Sequence, residues 1–347
     1  MSVLLTQYLT LLQETKWSDL HFVAGELPMI RVNGRLDPIS GSVPLTKEIV
    51  EEMFYTLYPE ATSNVALQNA QELDFSHWSD VGIGLRVNAY RSLSRRAIAL
   101  RRINTTAPSM HDIGLPTGAN KLLTAKQGMF IIAGPTGSGK STTLTAIVDE
   151  INATRKEHII SIEDPIEFRF TNKQSFITQR ELGRDTPSFV SAIRAAMRED
   201  PDIVIVGEMR DKETVEAAMS LSETGHLVFT TLHTSGSVAS LNRLIQFFPS
   251  DAQEQTRVRL SDALLGVLSQ RLVLNKQGDN RIALFELMYV NNAIRNLITI
   301  GDFIQIDNAI EVAAKDGMIS FKSHIYSLLD AGLIDEASAR EYLPHRT

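Results

Sequence analysis

The segment AGPTGSGKSTT, Ala133–Thr143, places three glycines, a proline and a lysine within a few positions. Glycine at that density destabilises a helix and leaves a strand nothing to pack. The stretch is therefore either a loose surface loop or a loop shaped around a ligand. Its flanks favour the second. GMFIIA before it has the make-up of a short buried strand, and Leu144, Ile147, Val148 and Ile151 after it fall on one face of a helix. GPTGSGKS thus fits G-x-x-x-x-G-K-[ST] between a strand and a helix, the context expected of a phosphate-binding P-loop. Its glycines let successive N–H groups turn inward as an anion nest, and the following helix points its positive end at the same place. Lys140 is expected to reach the β- and γ-phosphates of ATP, and Ser141 to ligate Mg²⁺. Gly134, Pro135, Thr136, Gly137, Ser138, Gly139 and Thr142 complete the expected nucleotide cradle.

Beyond the loop the chain alternates strand and helix. HIISIED, DIVIVGE and HLVFTTLH are β-rich, with helical stretches such as PSFVSAIRAAMRED and KETVEAAMSLSET between them. That rhythm predicts an α/β fold with a mainly parallel sheet covered by helices on both faces. Ligands of such sheets sit beyond the carboxyl ends of the strands. Three runs end there in polar residues: Glu163 and Asp164, then Glu208, then Thr231, His233 and Thr234. Carboxylates suit Mg²⁺ and the attacking water; a histidine suits the γ-phosphate. For any one strand, a solvent-facing end explains an acidic residue as well; for three beside a P-loop it explains much less. His226 and His233, taken singly, are as readily structural as catalytic. A zinc site is not expected, because cysteine is absent and the histidines miss the usual ligand spacings. From about Asp262 the chain reads as mostly helical.

The first hundred residues mix short helices and strands. Leu4, Leu5, Tyr8 and Leu12 suggest an amphipathic helix, Asn33-Gly34 a tight hairpin, and EIVEEMFYTLY a helix. GIGLRVNAY and RRAIALRRI read as paired strands joined through RSLS. A Pro- and Gly-bearing stretch then marks a linker, giving domains at 1–104 and 119–347 with the linker at 105–118. Six arginines fall between Arg86 and Arg102. On a strand Arg95 and Arg101 share one face, Arg96 and Arg102 the other. Three readings stay open: a nucleic-acid stripe, a strand edge protected by charge, or guanidinium groups aimed at a nucleotide.

The net charge of -7 argues against long-range attraction to nucleic acid or anionic lipid. The absence of cysteine removes disulfides and is compatible with a reducing cytoplasm. The start lacks a basic leader, and no apolar run approaches the roughly 18 residues of a membrane span. Membrane association is therefore expected to be peripheral or through a partner.

With these motifs in place, nearly the whole chain resembles the type IV pilus retraction ATPases, the PilT family, within the secretion ATPase superfamily. SDLHF and MIRVNGRL resemble its N-terminal domain, IEDPIEF (Ile162–Phe168) its aspartate box, REDPDIVIVGEMRD (Arg198–Asp211) its Walker B region, TGHLVFTTLHT (Thr224–Thr234) its histidine box, and AIRNLI (Ala293–Ile298) a motif of retraction members. The resemblance implies a homohexamer whose subunits carry a PAS-like N-terminal domain and a RecA-like ATPase domain with a helical C-terminal part. It implies ATP hydrolysis that powers pilus disassembly through an inner-membrane platform protein. On the residues, Glu163 is expected to polarise the attacking water and Glu208 to organise Mg²⁺ and water, the two roles being exchangeable, and His233 and His226 are expected to sense the γ-phosphate. By the resemblance Arg86 and Arg101, with Arg95 or Arg96 as a third, contact nucleotide. Rival readings are a pilus-extension or secretion ATPase, and an accessory non-catalytic ring subunit.

Overall fold

The structure, a computed structural model, describes residues 3–11, 17–103 and 106–342. Leu12 of the expected first helix and positions 104 and 105 at the expected domain boundary lie outside the described residues. The chain forms two compact units. The first takes the described residues of 1–106 together with 164–169 and 181–185; the second takes 107–163, 170–180 and the described residues from 186 onward.

The first unit contains α1 (Val3–Leu11), β1 (Trp17–Val23), β2 (Met29–Val32), β3 (Arg35–Pro38), α2 (Lys47–Leu57), α3 (Val65–Asn69), β4 (Glu72–Trp78), β5 (Gly84–Ser92) and β6 (Arg95–Ile103). Its antiparallel sheet runs β3-β2-β1-β6-β5-β4. Asn33 and Gly34 both take positive φ, 50° and 82°, in the two-residue turn joining β2 to β3. That geometry follows the twist of the flanking strands. The Thr46 hydroxyl caps α2 by accepting from the Ile49 N–H. Val50, Met53, Phe54 and Leu57 are buried in one cluster with Leu85, Val87, Ala89, Ile98 and Leu100 from β5 and β6. Alternation along the strands then places Arg86 and Arg101 on the other face.

Two short segments that the sequence reading assigns to the second domain belong to this unit. The buried Glu181 carboxylate accepts from the backbone N–H of Ser76 at 3.0 Å and of Ile166 at 3.1 Å. Arg184 donates twice to Glu60, at 3.0 and 2.7 Å. Such long-range bonds leave no local sequence pattern.

The second unit contains β7 (Gly128–Ala133), α4 (Lys140–Thr154), β8 (His158–Glu163), β9 (Phe176–Glu181), α5 (Phe189–Ala196), β10 (Ile203–Val206), α6 (Lys212–Glu223), β11 (Leu227–Leu232), α7 (Ser237–Gln246), α8 (Gln253–Ala263), β12 (Leu264–Leu274), β13 (Arg281–Tyr289), α9 (Asn292–Ile300), α10 (Ile306–Val312), α11 (Phe321–Asp330) and α12 (Glu336–Tyr342). Residue Glu181 of β9 is counted with the first unit. The sheet order is β13-β12-β7-β11-β10-β8-β9, with β12, β7, β11, β10 and β8 parallel. Met129 and Ile131 join one core with α5 to α10, while Phe130 and Ile132 join another with α4. Both faces of the sheet are therefore covered. Truncating a fully buried residue such as Ile147 to alanine costs about 2–5 kcal/mol.

The expected helical region from about 262 is corrected. After α8 the chain enters the β12–β13 hairpin, and helices resume only at Asn292. Leu264, Val267, Leu268 and Val273 are buried on both faces of β12. A strand covered on both sides loses its alternation, and a short apolar run does not separate it from a buried helix.

Candidate nucleotide-binding site

Four parallel strands carry their functional residues to one edge of the second unit. Backbone bonds fix the order there. Gly134 N–H donates to Leu232 O at 3.1 Å, Met209 N–H to Thr231 O at 3.3 Å, and Gly207 N–H to Ile162 O at 2.8 Å. The P-loop after β7, His233 after β11, Glu208 after β10 and Glu163 at the end of β8 thus stand side by side, about 4.8 Å per strand step.

Glycine is required in the loop for more than one reason. A Cβ on Gly134 would lie 2.4 Å from Gln270 O and from Ser138 Oγ. Gly139 opens α4 with a left-handed φ of 89°. Lys140 is buried, and its Nζ donates to Gly134 O at 2.7 Å and Pro135 O at 3.0 Å. The same Nζ lies 3.5 Å from His233 Nδ1. The other ring nitrogen, Nε2, faces Glu208 Oε2 at 3.5 Å. Lys140, His233 and Glu208 therefore form one chain of polar contacts. Arg210 also pairs with Glu208. One strand further along, the Glu163 carboxylate accepts from Ser161 Oγ at 2.6 Å and Gln179 Nε2 at 3.1 Å. Ser141 and Thr142 lie exposed in the first turn of α4.

A model of the type II/IV secretion system protein family matches residues 79–314. The "type IV pilus retractation ATPase PilT" of Pseudomonas aeruginosa is 39% identical, over 93% of this chain and 93% of that protein. The chain belongs to the PilT family. A twitching motility protein of Neisseria gonorrhoeae is 40% identical over 90% of this chain and 83% of its own length. A crystal structure of the pilus retraction motor PilT with bound ADP matches with a TM-score of 0.89 at 38% identity, covering 98% of this chain and 97% of that one. The α/β class with a RecA-like P-loop core, expected from the sequence, is the fold found.

In this PilT-family chain one expected site residue falls elsewhere. His226 precedes β11, at the amino end of the strand, where its Nδ1 lies 3.0 Å from Leu221 O. The P-loop lies at the carboxyl end, so of the two histidines only His233 faces it. Arg86 and Arg101 lie in the first unit, bonded to Glu167 at 2.8 Å and Asp19 at 2.9 Å. Arg96 is buried with its guanidinium 3.9 Å above the Phe54 ring and a 2.8 Å bond to Gln68 O. It is committed to the core, and Arg95 is the exposed member of that pair.

Two residues escape the motif reading. Gln270 is buried and its Oε1 accepts from Thr143 Oγ1 at 2.6 Å, bracing the P-loop helix from β12. Gln179 fixes Glu163. A polar Ser269-Gln270 pair inside the apolar run LLGVLSQRLVL was a usable signal, because a buried amide needs a partner.

Proposed function

We propose that this chain is an ATP-hydrolysing motor that powers type IV pilus disassembly and retraction. The contact chain Lys140–His233–Glu208 beside Glu163, in a PilT-family fold, carries the reading. Lys140 turns from the loop carbonyls to the β- and γ-phosphates. Glu163, oriented by Ser161 and Gln179, polarises the attacking water; Glu208 can exchange that role with it. His233 senses the γ-phosphate. Ser141 and Glu208 offer a hydroxyl and a carboxylate, hard oxygen donors of the kind Mg²⁺ takes. They would hold the ion, which supplies positive charge against the phosphates. Arg86 and Arg101 bring guanidinium charge to a nucleotide held by another subunit of a homohexamer. The ring works at the cytoplasmic side of the inner membrane and passes motion to a platform protein. No described helix is long and apolar enough to cross a membrane. AIRNLI, on α9, favours retraction over the extension and secretion members that share this chemistry.

ATP turnover by the purified protein in MgATP is the test. Steady hydrolysis supports the motor. Nucleotide binding without turnover, alone and in the ring, supports the accessory subunit instead.

A further inference from the structure

Glu286 is a buried acid, 7% exposed, that the hydrolysis scheme above does not use. It projects from β13, and its Oε1 accepts from the backbone N–H of Ser237 at 2.8 Å. Among the described residues it makes no ion pair. Burial pushes its carboxyl up, the Ser237 N–H draws it back, and Asp307 adds to the rise while Arg271 opposes it. A carboxyl group in such surroundings is costly unless something requires it. Ser237 is the first residue of α7, and Gly236 before it has no side chain to cap the helix. Glu286 supplies that cap from another element, at the end of the helix where negative charge is favourable.

The consequence lies in what precedes α7. Only His233, Thr234, Ser235 and Gly236 separate the end of β11 from Ser237. On the strand side, Thr231 Oγ1 donates to Gly207 O at 2.6 Å. On the helix side, Ser240 Oγ donates to Gly236 O at 2.8 Å and accepts from Thr234 Oγ1 at 2.7 Å. His233 hangs between these anchors. Its contacts to Lys140 and Glu208, both 3.5 Å, lie at the outer limit of a hydrogen bond, so a small displacement removes them. We propose that Glu286 is a positioning residue: by fixing the start of α7 it holds the four-residue loop that sets His233 between Lys140 and Glu208. This rests on the reading of Lys140, His233 and Glu208 as the hydrolysis site.

The test compares Glu286→Leu, Glu286→Gln and Ser237→Pro, each in the wild-type and His233→Ala backgrounds. Proline at the first helical position is tolerated, so Ser237→Pro deletes the donated N–H, together with the buried Ser237 hydroxyl, while keeping Glu286. Glu286→Leu and Ser237→Pro are expected to lower kcat by about 10- to 10²-fold, the scale of a misplaced catalytic group. ADP affinity should hold, since ADP lacks the γ-phosphate. Glu286→Gln, which keeps the acceptor, should restore most of the rate. With His233 already replaced, neither variant should lower kcat further. An equal loss in both backgrounds, or a lower melting temperature with unchanged kcat, would overturn the proposal. Normal turnover by His233→Ala alone would instead overturn the reading of His233 on which it rests. If Glu286→Leu does not fold, Ser237→Pro and Glu286→Gln decide by the same criteria.

Discussion

Arg86 and Arg101 stand directly opposite each other across β5 and β6, and each holds its own carboxylate. Like charges in that register repel. Glu167 answers Arg86. Asp19, the register partner of Arg101 on β1, answers Arg101 and also lies 3.7 Å from Arg31. Partial burial would raise the Asp19 carboxyl, but the Ser18 hydroxyl and the Arg101 guanidinium hold it below the usual carboxylate range. The pair is therefore held outward and oriented by its two carboxylates.

Arg101→Ala is accordingly expected to slow turnover by up to about 10³-fold, the upper scale for an arginine that stabilises transition-state charge. ATP binding should fall much less. Mixing Arg101→Ala subunits with Lys140→Ala subunits should recover some activity, because certain interfaces regain both groups. No recovery at any ratio, in rings shown to be mixed, would contradict action in trans. A defect confined to nucleic-acid binding would favour the stripe reading.

Glu163→Gln should separate binding from chemistry. The amide keeps the shape and can still meet Ser161 and Gln179, but it lacks the charge that polarises water. Nucleotide affinity measured by titration should be near normal while turnover is lost. Normal turnover would remove Glu163 from the role of base and leave Glu208 as the candidate.

His324 makes a prediction about pH. Its ring is buried, which pushes its pKa below the ordinary histidine value, and Nδ1 accepts the Phe285 N–H at 2.9 Å. The folded state therefore binds fewer protons at this site than the unfolded chain. Its contribution is fully present above the unfolded pKa, near 6.5, and is lost as pH falls towards the folded value. The melting temperature should drop between about pH 7.5 and pH 5.5. His324→Asn, which keeps an acceptor but does not titrate, should show a shallower drop. Identical pH slopes in the two proteins would contradict this assignment.

The motif residues were legible because a P-loop needs its glycines and lysine at fixed spacing and because parallel strands deliver polar residues to one edge. The Asn33-Gly34 hairpin was legible because few residue pairs take two positive φ angles. The β12–β13 hairpin was not, since burial on both faces erased the alternation that marks a strand. His226 was drawn into the site by its place in the histidine box, although six strand residues separate it from His233. Gln179, Gln270 and Glu286 act through hydrogen bonds between distant positions, which no local pattern encodes.

The α9 helix separates packing from coupling. Ile294 and Ile298 are fully buried, whereas Leu297 is only partly buried against the same core. Ile298→Ala should cost about 2–5 kcal/mol and lower the melting temperature. Leu297→Ala should leave the oligomer and basal ATP turnover largely intact while pili fail to retract. Joint loss of oligomer, turnover and retraction in Leu297→Ala would reduce AIRNLI to a core helix.

The central claim is that ATP hydrolysis at Lys140 drives pilus retraction. It is tested most directly by counting surface pili and following twitching in a strain that lacks this gene and carries either the wild-type copy or Lys140→Ala. The mutant protein should fold, since truncating a side chain at the phosphate site leaves the apolar cores on both faces of the sheet intact, yet it should hydrolyse no ATP. Excess pili that do not retract, corrected by the wild-type copy and not by Lys140→Ala, is the result expected. Bald cells, as from loss of an extension motor, or full rescue by Lys140→Ala would contradict it.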